Sequence, residues 1–261
     1  YLLSVNLAVV MAVQAVLGLA LPGLYRDAGY VSETWFGNDL VTLALALPLL
    51  VVGLVLERRC APRGRLLWLG GLGYAIYNYA FYLFGAALNA FFLLYVAAFL
   101  LGIAAMVLGL SRTSAHAVAS GFSPRTPVKL VGGYLMSAAA GLTVVWVVMW
   151  AGYVFAGRPT PGSTEAFKIV AALDLAVMVP ALALGGCLLW RRHPWGYVIA
   201  TLASVQGALY LTVLALNGAL FIVRGLAEAP GDLPVWGTLS VATATAATLL
   251  LSHVRRSEQI G

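Results

Sequence analysis

The chain has 261 residues, 62% of them hydrophobic and 9% charged, with a mean hydropathy of +0.95 and a net charge of +6. A soluble domain carries about 25% charged residues to solvate its surface, so this composition excludes a water-covered molecule and points to the hydrocarbon core of a bilayer. The basic residues form short clusters between apolar runs, with no groove-sized basic surface, which sets nucleic acid aside as a partner.

A membrane-spanning helix needs about 20 apolar residues. Eight segments meet that need: 2–24, 38–56, 66–88, 90–110, 128–156, 167–190, 195–223 and 234–254. The first residue is Tyr1, not Met, and a few residues are expected to precede it. Segment 2–24 is too long for the apolar region of a signal peptide and lacks an A-x-A-like cleavage site, so it reads as the first span. Pro62-Arg63-Gly64 separates the second and third segments. Only Leu88-Asn89-Ala90 interrupts the third and fourth, but their combined length exceeds any single span. Ser123-Pro124-Arg125-Thr126-Pro127, Arg158-Pro159-Thr160-Pro161-Gly162, His193-Pro194 and Ala229-Pro230-Gly231-Asp232 mark the later breaks.

Lysine and arginine alternate across these breaks. Arg58, Arg59, Arg63 and Arg65, then Arg112, Arg125 and Lys129, then Arg191 and Arg192, then Arg255 and Arg256 fall on one side. Arg26, Arg158, Lys168 and Arg224 fall on the other. The richer side is read as cytoplasmic, which puts both termini inside and the protein in the cell's cytoplasmic membrane. Asp27, Glu33, Asp39, Glu165, Asp174, Glu228 and Asp232 gather at the opposite, outer side, leaving Glu57 and Glu258 inside.

The expected fold is thus an all-α, eight-helix transmembrane bundle forming a single domain. Two halves, 1–115 and 125–261, resemble each other. Asn78 aligns with Gln206, Tyr82 with Tyr210, and Ala87-Leu88-Asn89 with Ala215-Leu216-Asn217 at one constant offset. Arg58-Arg59 meets Arg191-Arg192 once five loop residues are dropped, while Asp39 and Asp174 miss each other by two positions. Four helices per half would make the repeats parallel, about an axis along the membrane normal. Chance likeness between two Leu/Ala-rich hairpins is the competing explanation.

Ionisable groups within a bilayer are costly and tend to be functional or paired. Asp174 is flanked by apolar residues on both sides. Asp39, near the start of its segment, reads either as a helix cap or as a site residue. Asn78 with Tyr82, and Gln206 with Tyr210, share helix faces at a spacing of four. These pairs serve either a polar pathway below the two acids or simple hydrogen bonding between helices. The aromatic run from Tyr74 to Phe84 fits packing.

No metal site or cofactor is indicated. Cys60 and Cys187 lack CxxC partners, and His116, His193 and His253 lie in or beside the inner loops, away from any haem-like pairing. HExxH, GxSxG, Walker A and EF-hand patterns are absent from the sequence. The eighth segment, rich in Gly, Ala, Ser and Thr, suits close helix approach within the fold, against a second copy or in a larger membrane complex.

Two stretches, Gly37-Asn38-Asp39-Leu40-Val41-Thr42-Leu43 and Tyr77-Asn78-Tyr79-Ala80-Phe81-Tyr82-Leu83-Phe84-Gly85, resemble segments of multi-pass bacterial membrane proteins that carry no assigned activity. The resemblance covers the first 110 residues or so and implies a bacterial source. The residues themselves favour a small transporter or permease for a polar or cationic solute, with Asp174, Asp39, Asn78, Tyr82, Gln206 and Tyr210 along its pathway. The alternatives are a membrane-embedded enzyme using Asp39 and Asp174 as paired carboxylates, and a non-catalytic subunit docked through the eighth helix.

Overall fold

A computed structural model describes residues 1–27, 30–160, 163–226 and 231–255. Glu228, Arg256 and Glu258, and the breakers Pro161-Gly162 and Ala229-Pro230, lie outside the described residues. The described residues form helices α1 (Leu2–Ala20), α2 (Tyr30–Val41), α3 (Leu47–Arg58), α4 (Pro62–Gly85), α5 (Phe92–Ser111) and α6 (Ala115–Ser120). The second part of the chain adds α7 (Val128–Ala156), α8 (Thr164–Leu173), α9 (Val179–Trp190), α10 (Pro194–Val223) and α11 (Leu233–Ser252). Among these residues the only strand-like pairing is an isolated antiparallel bridge between Phe122 and Val254.

Two of the rods are continuous but not regular. A π-helical turn, Thr42–Ala46, joins α2 to α3, and a second, Asp174–Met178, joins α8 to α9. Each is followed by a proline, Pro48 and Pro180. Proline has no N–H for the carbonyl four residues back, here Ala44 and Ala176, and its ring pushes that carbonyl aside. A π-turn takes up the displaced geometry without ending the helix.

Among the described residues, seven helices are long and apolar enough to cross a membrane: α1, the α2–α3 rod, α5, α7, the α8–α9 rod, α10 and α11. Large apolar side chains line their outer faces, as on α7, where Val144, Val148, Trp150 and Phe155 are exposed. The chain is therefore a multi-pass membrane protein, with lipid in contact with its apolar helices. The short signal at Leu88-Asn89-Ala90 is a true break, because Asn89 accepts the Phe91 N–H at 2.9 Å and so replaces a helical bond.

The sequence expectation of a third span at 66–88 meets a helix of a different character. α4 packs against α3, α5 and α10, in the middle of the bundle. Most of its residues are buried, including Tyr74, Tyr77, Asn78, Tyr79 and Tyr82. Those tyrosines, Asn78 and three central glycines keep α4 out of the apolar set. Contacts between α4 and α10 rise together along both helices. A side-chain atom on Gly70 would meet Val205, one on Gly73 would meet Gln206, and Tyr77 packs edge-on against Tyr210 at 4.6 Å. The two helices therefore run parallel.

Local geometry recurs at a spacing of 132 residues. The π-turns, Pro48 and Pro180, and the helices that follow them all stand at that spacing. Cys60 and Arg192 both adopt left-handed backbone, with φ of 55° and 56°. Gly53 lies against the backbone of Trp68 as Gly185 lies against that of Ala200. Gly64 meets Leu56 and Glu57 as Gly196 meets Leu188 and Leu189. This register is four residues away from the one the polar side chains suggest. It pairs Tyr74 with Gln206 and Asn78 with Tyr210.

At the arginine-rich end, Arg63 donates to the Val254 carbonyl at 2.9 Å and to the Ser252 carbonyl at 3.2 Å. Ser123 N–H donates to His253 O, and Arg255 N–H to Gly121 O, both at 2.8 Å. The bonds to Ser252, His253 and Val254 occupy carbonyls that the end of α11 would otherwise leave open, and the one to Gly121 ties the chain after α11 to the end of α6.

The α3–α4 contact gives a graded test. A Cβ on Gly53 would stand 2.5 Å from Trp68 N, one on Gly185 would stand 3.0 Å from Ala200 N, and one on Gly141 would meet nothing within 4 Å. Thermal unfolding in detergent should rank Gly53→Ala as most destabilised, by about 1–3 kcal/mol, then Gly185→Ala, with Gly141→Ala unharmed. Equal melting of all three would contradict the packing described.

Candidate functional site

Two carboxylates lie inside the bundle. Asp39 is 0% exposed and Asp174 4%. Asp39 falls nine residues into α2, so the helix-cap reading is overturned: the helix begins at Tyr30, well before the expected start of the span.

Asp39 collects donors from two helices and from the segment that joins α1 to α2. Its Oδ1 accepts from Gln14 Nε2 on α1 at 3.0 Å and from Tyr82 Oη on α4 at 2.8 Å. Its Oδ2 accepts from Tyr25 Oη at 2.6 Å. Gln14 also donates to Tyr25 Oη and accepts from Tyr79 Oη, at 3.0 and 2.9 Å. Gly18 lets this cluster close, because a Cβ there would collide with Asp39 Oδ2 and stand 2.5 Å from the Tyr25 hydroxyl. Aromatic rings enclose it. Trp35 stacks on Tyr82 at 4.7 Å, and Tyr82 stacks on Tyr95 at 4.9 Å. Asp27 fixes one edge of the cluster by accepting from Trp35 Nε1 and from Ala87 N–H, both at 2.9 Å.

Asp174 opens the second π-turn. Its Oδ1 accepts from Tyr77 Oη on α4 at 2.5 Å, and its Oδ2 accepts from Trp146 Nε1 on α7 at 2.9 Å. Trp146 is only half-buried, and Val144, Val145, Val147 and Val148 around it are exposed. One indole thus separates Asp174 from the membrane-facing surface.

Both acids are held by α4, but from different faces. Tyr77 and Tyr82 are five residues apart, which is about 140° around the helix and about 7.5 Å along it. In the 132-residue register Asp39 stands opposite Ala171, and Asp174 opposite Thr42. Thr42 shares a hydrogen bond of 3.0 Å with Tyr74. The acids are accordingly not counterparts.

The other residues singled out from the sequence lie along the contact of α4 and α10. Asn78 and Gln206 are 2% and 3% exposed, yet Asn78 Nδ2 and Gln206 Nε2 have no protein partner among the described residues. Asn217 Oδ1, against Gly37, is likewise open. Tyr210 packs against Tyr77. Beyond Asn217 the C-terminal end of α10 is tied to α2 by an ion pair from Arg224 to Glu33, with the guanidinium 4.4 Å above the Phe36 ring.

Sequence reasoning missed Gln14, Tyr25, Tyr79, Tyr77 and Trp146. Gln14 carried a signal, as an amide in a long apolar run. Tyr77 and Tyr79 lay in the aromatic run that fits packing. Nothing in the sequence near Trp146 distinguishes it from Trp150, the other tryptophan of α7.

Chemically, each carboxylate is solvated by neutral donors alone. Among the described residues no Lys, Arg or His bonds to either one; the ion pairs found there, Arg65 with Glu57 and Arg224 with Glu33, lie elsewhere. Nor do three His, Cys, Asp or Glu side chains converge among the described residues, so neither acid has the ligand set of a metal centre. Such a site can hold and release a proton or a cation that arrives from outside the chain.

Tyr82→Phe removes one donor from Asp39 and should lower stability by about 1–3 kcal/mol. With Asp39→Asn in the same chain the losses should not add, since both variants break one network; additive losses in thermal unfolding would show that the two groups are uncoupled. Comparison of the chain with protein-family models, curated proteins and solved structures finds no match, so the site is read from its own geometry.

Proposed function

We propose that the chain is a small transporter or permease of a bacterial cytoplasmic membrane, carrying a polar or cationic solute, in which Asp39 and Asp174 bind and release a proton or other cation. One observation carries this reading. Both acids are buried in the bundle with neutral donors only, each at or beside a π-helical break. A charged carboxylate in a bilayer costs about 2.5–3.5 kcal/mol on insertion scales even before local pairing is counted. With no fixed cation beside it, a proton or a passing cation supplies the missing charge. π-turns are frequent where function requires local rearrangement.

The membrane topology proposed with this function has eight spans, α4 joining the seven apolar ones as the third in chain order, and both termini at the arginine-rich cytoplasmic side. In support, α4 has 24 residues, about 36 Å of helix against a core of about 30 Å. It runs parallel to α10, and a helix enclosed by protein needs no apolar surface. The recurrence at 132 residues supports two parallel four-span repeats.

The enzyme reading asks two carboxylates to face one substrate, and the opposed faces of α4 disfavour that. The subunit reading relied on α11, whose small polar face is used within the fold only in part, Thr238, Thr245 and Thr248 staying exposed. Ser240 bonds Thr212 at 2.9 Å, and Thr243 bonds Tyr134.

The test is proton flux into proteoliposomes that contain a pH-sensitive dye, after an external pH step. The wild type should exceed protein-free vesicles, Asp174→Asn and Asp39→Asn should fall to that background, and Asp232→Asn should not. Flux in Asp174→Asn equal to wild type would remove that carboxylate from the mechanism.

A further inference from the structure

We infer that the groove between α1 and α3 binds an anionic phospholipid, its acyl chain against the apolar walls and its phosphate on Arg58. The groove has a volume of about 370 Å³. Val5, Ala8, Val9 and Ala12 form one wall, and α3 forms the other from Leu47 to Arg58. Ala8 and Ala12 put only methyl groups into a lining otherwise made of valines, leucines and Arg58. From Leu47 to Arg58 the groove runs about 16 Å, close to the depth of one hydrocarbon leaflet, about 15 Å. The walls are apolar throughout, and the charge sits at one end.

That charge is exposed at the mouth of the groove. Arg58 lies 4.9 Å over the Tyr1 ring, and among the described residues its guanidinium has no hydrogen bond or ion pair. Its neighbour Glu57 is already taken by Arg65. Arg59 adds a second exposed cation beside it. A lipid whose head carries net negative charge satisfies both parts of the site at once: hydrocarbon for the walls, phosphate for the fork of the guanidinium. A zwitterionic lipid fills the walls equally but brings its own cation to the mouth.

The experiment is native mass spectrometry of the delipidated protein in non-ionic detergent, offered phosphatidylglycerol and phosphatidylcholine with identical chains at equal concentration. Wild type should retain one phosphatidylglycerol at about fivefold preference, the effect of roughly one basic residue near an anionic headgroup. Arg58→Gln should erase the preference while keeping the weaker binding of both lipids. Ala8→Phe, which fills the hollow, should displace both; Val51→Phe on the facing wall repeats that test if Ala8→Phe does not fold. Arg191→Gln, a basic residue away from the groove, should behave as wild type. An unchanged preference in Arg58→Gln overturns the proposal. So does undiminished binding in the filled variants, or a dimer that closes the groove without lipid.

Discussion

A polar group in hydrocarbon must find its partner within the protein, and α4 is where this chain gathers the groups that would be costly elsewhere. Tyr74, Tyr77, Tyr79 and Tyr82 all use their hydroxyls inside the bundle, toward Thr42, Asp174, Gln14 and Asp39. The surrounding helices are apolar because they meet lipid, and α4 is free to be polar because they shield it. The low apolarity of α4 and the burial of both acids are one fact seen from two sides.

The two carboxylates are solvated differently. Asp39 is locked by three donors, two of which are also tied to each other, within a stack of rings. Asp174 has two donors, one of them the half-buried Trp146. Breaking the first network means moving α1, the segment carrying Tyr25 and α4 together, whereas freeing Asp174 on one side needs only one indole to turn. Within the proposed mechanism, Asp174 is the more readily exchanging group and Asp39 the more fixed.

Much of the fold was legible in the sequence because hydrocarbon imposes a plain rule on residue type over long windows. The runs of apolar residues, the proline breakers within the described residues and even the weak Asn89 break correspond to real helix ends. Helix starts were less legible: α2 begins at Tyr30, and its first turns, with Ser32, Glu33 and Thr34, are too polar to register as a span. Asp39 and Asp174 stood out because an acid in an apolar window is conspicuous. Their partners did not, since a tyrosine or tryptophan fits lipid, interface and core alike, and only the fold brings Trp146 to Asp174 across 28 residues. The repeat register went astray for a related reason. Asn78, Tyr82, Gln206 and Tyr210 drew the alignment, whereas the recurring features are backbone ones: π-turns, left-handed residues and glycines under a crossing helix.

The π-turns give one more property to the rods that contain them. A regular helix has a single angular phase from end to end, so rolling one end rolls the other. An extra residue in one turn uncouples the two ends: the half of the α2–α3 rod beyond Ala46 is held by Gly53 pressed on the Trp68 backbone, while the half before Thr42 points Asp39 at its donors. Closing or shifting that wider turn would swing the acid by roughly one residue's rotation, about 100°, and leave the pressed glycine where it is. The fold thus carries two independent azimuths on one continuous piece of backbone.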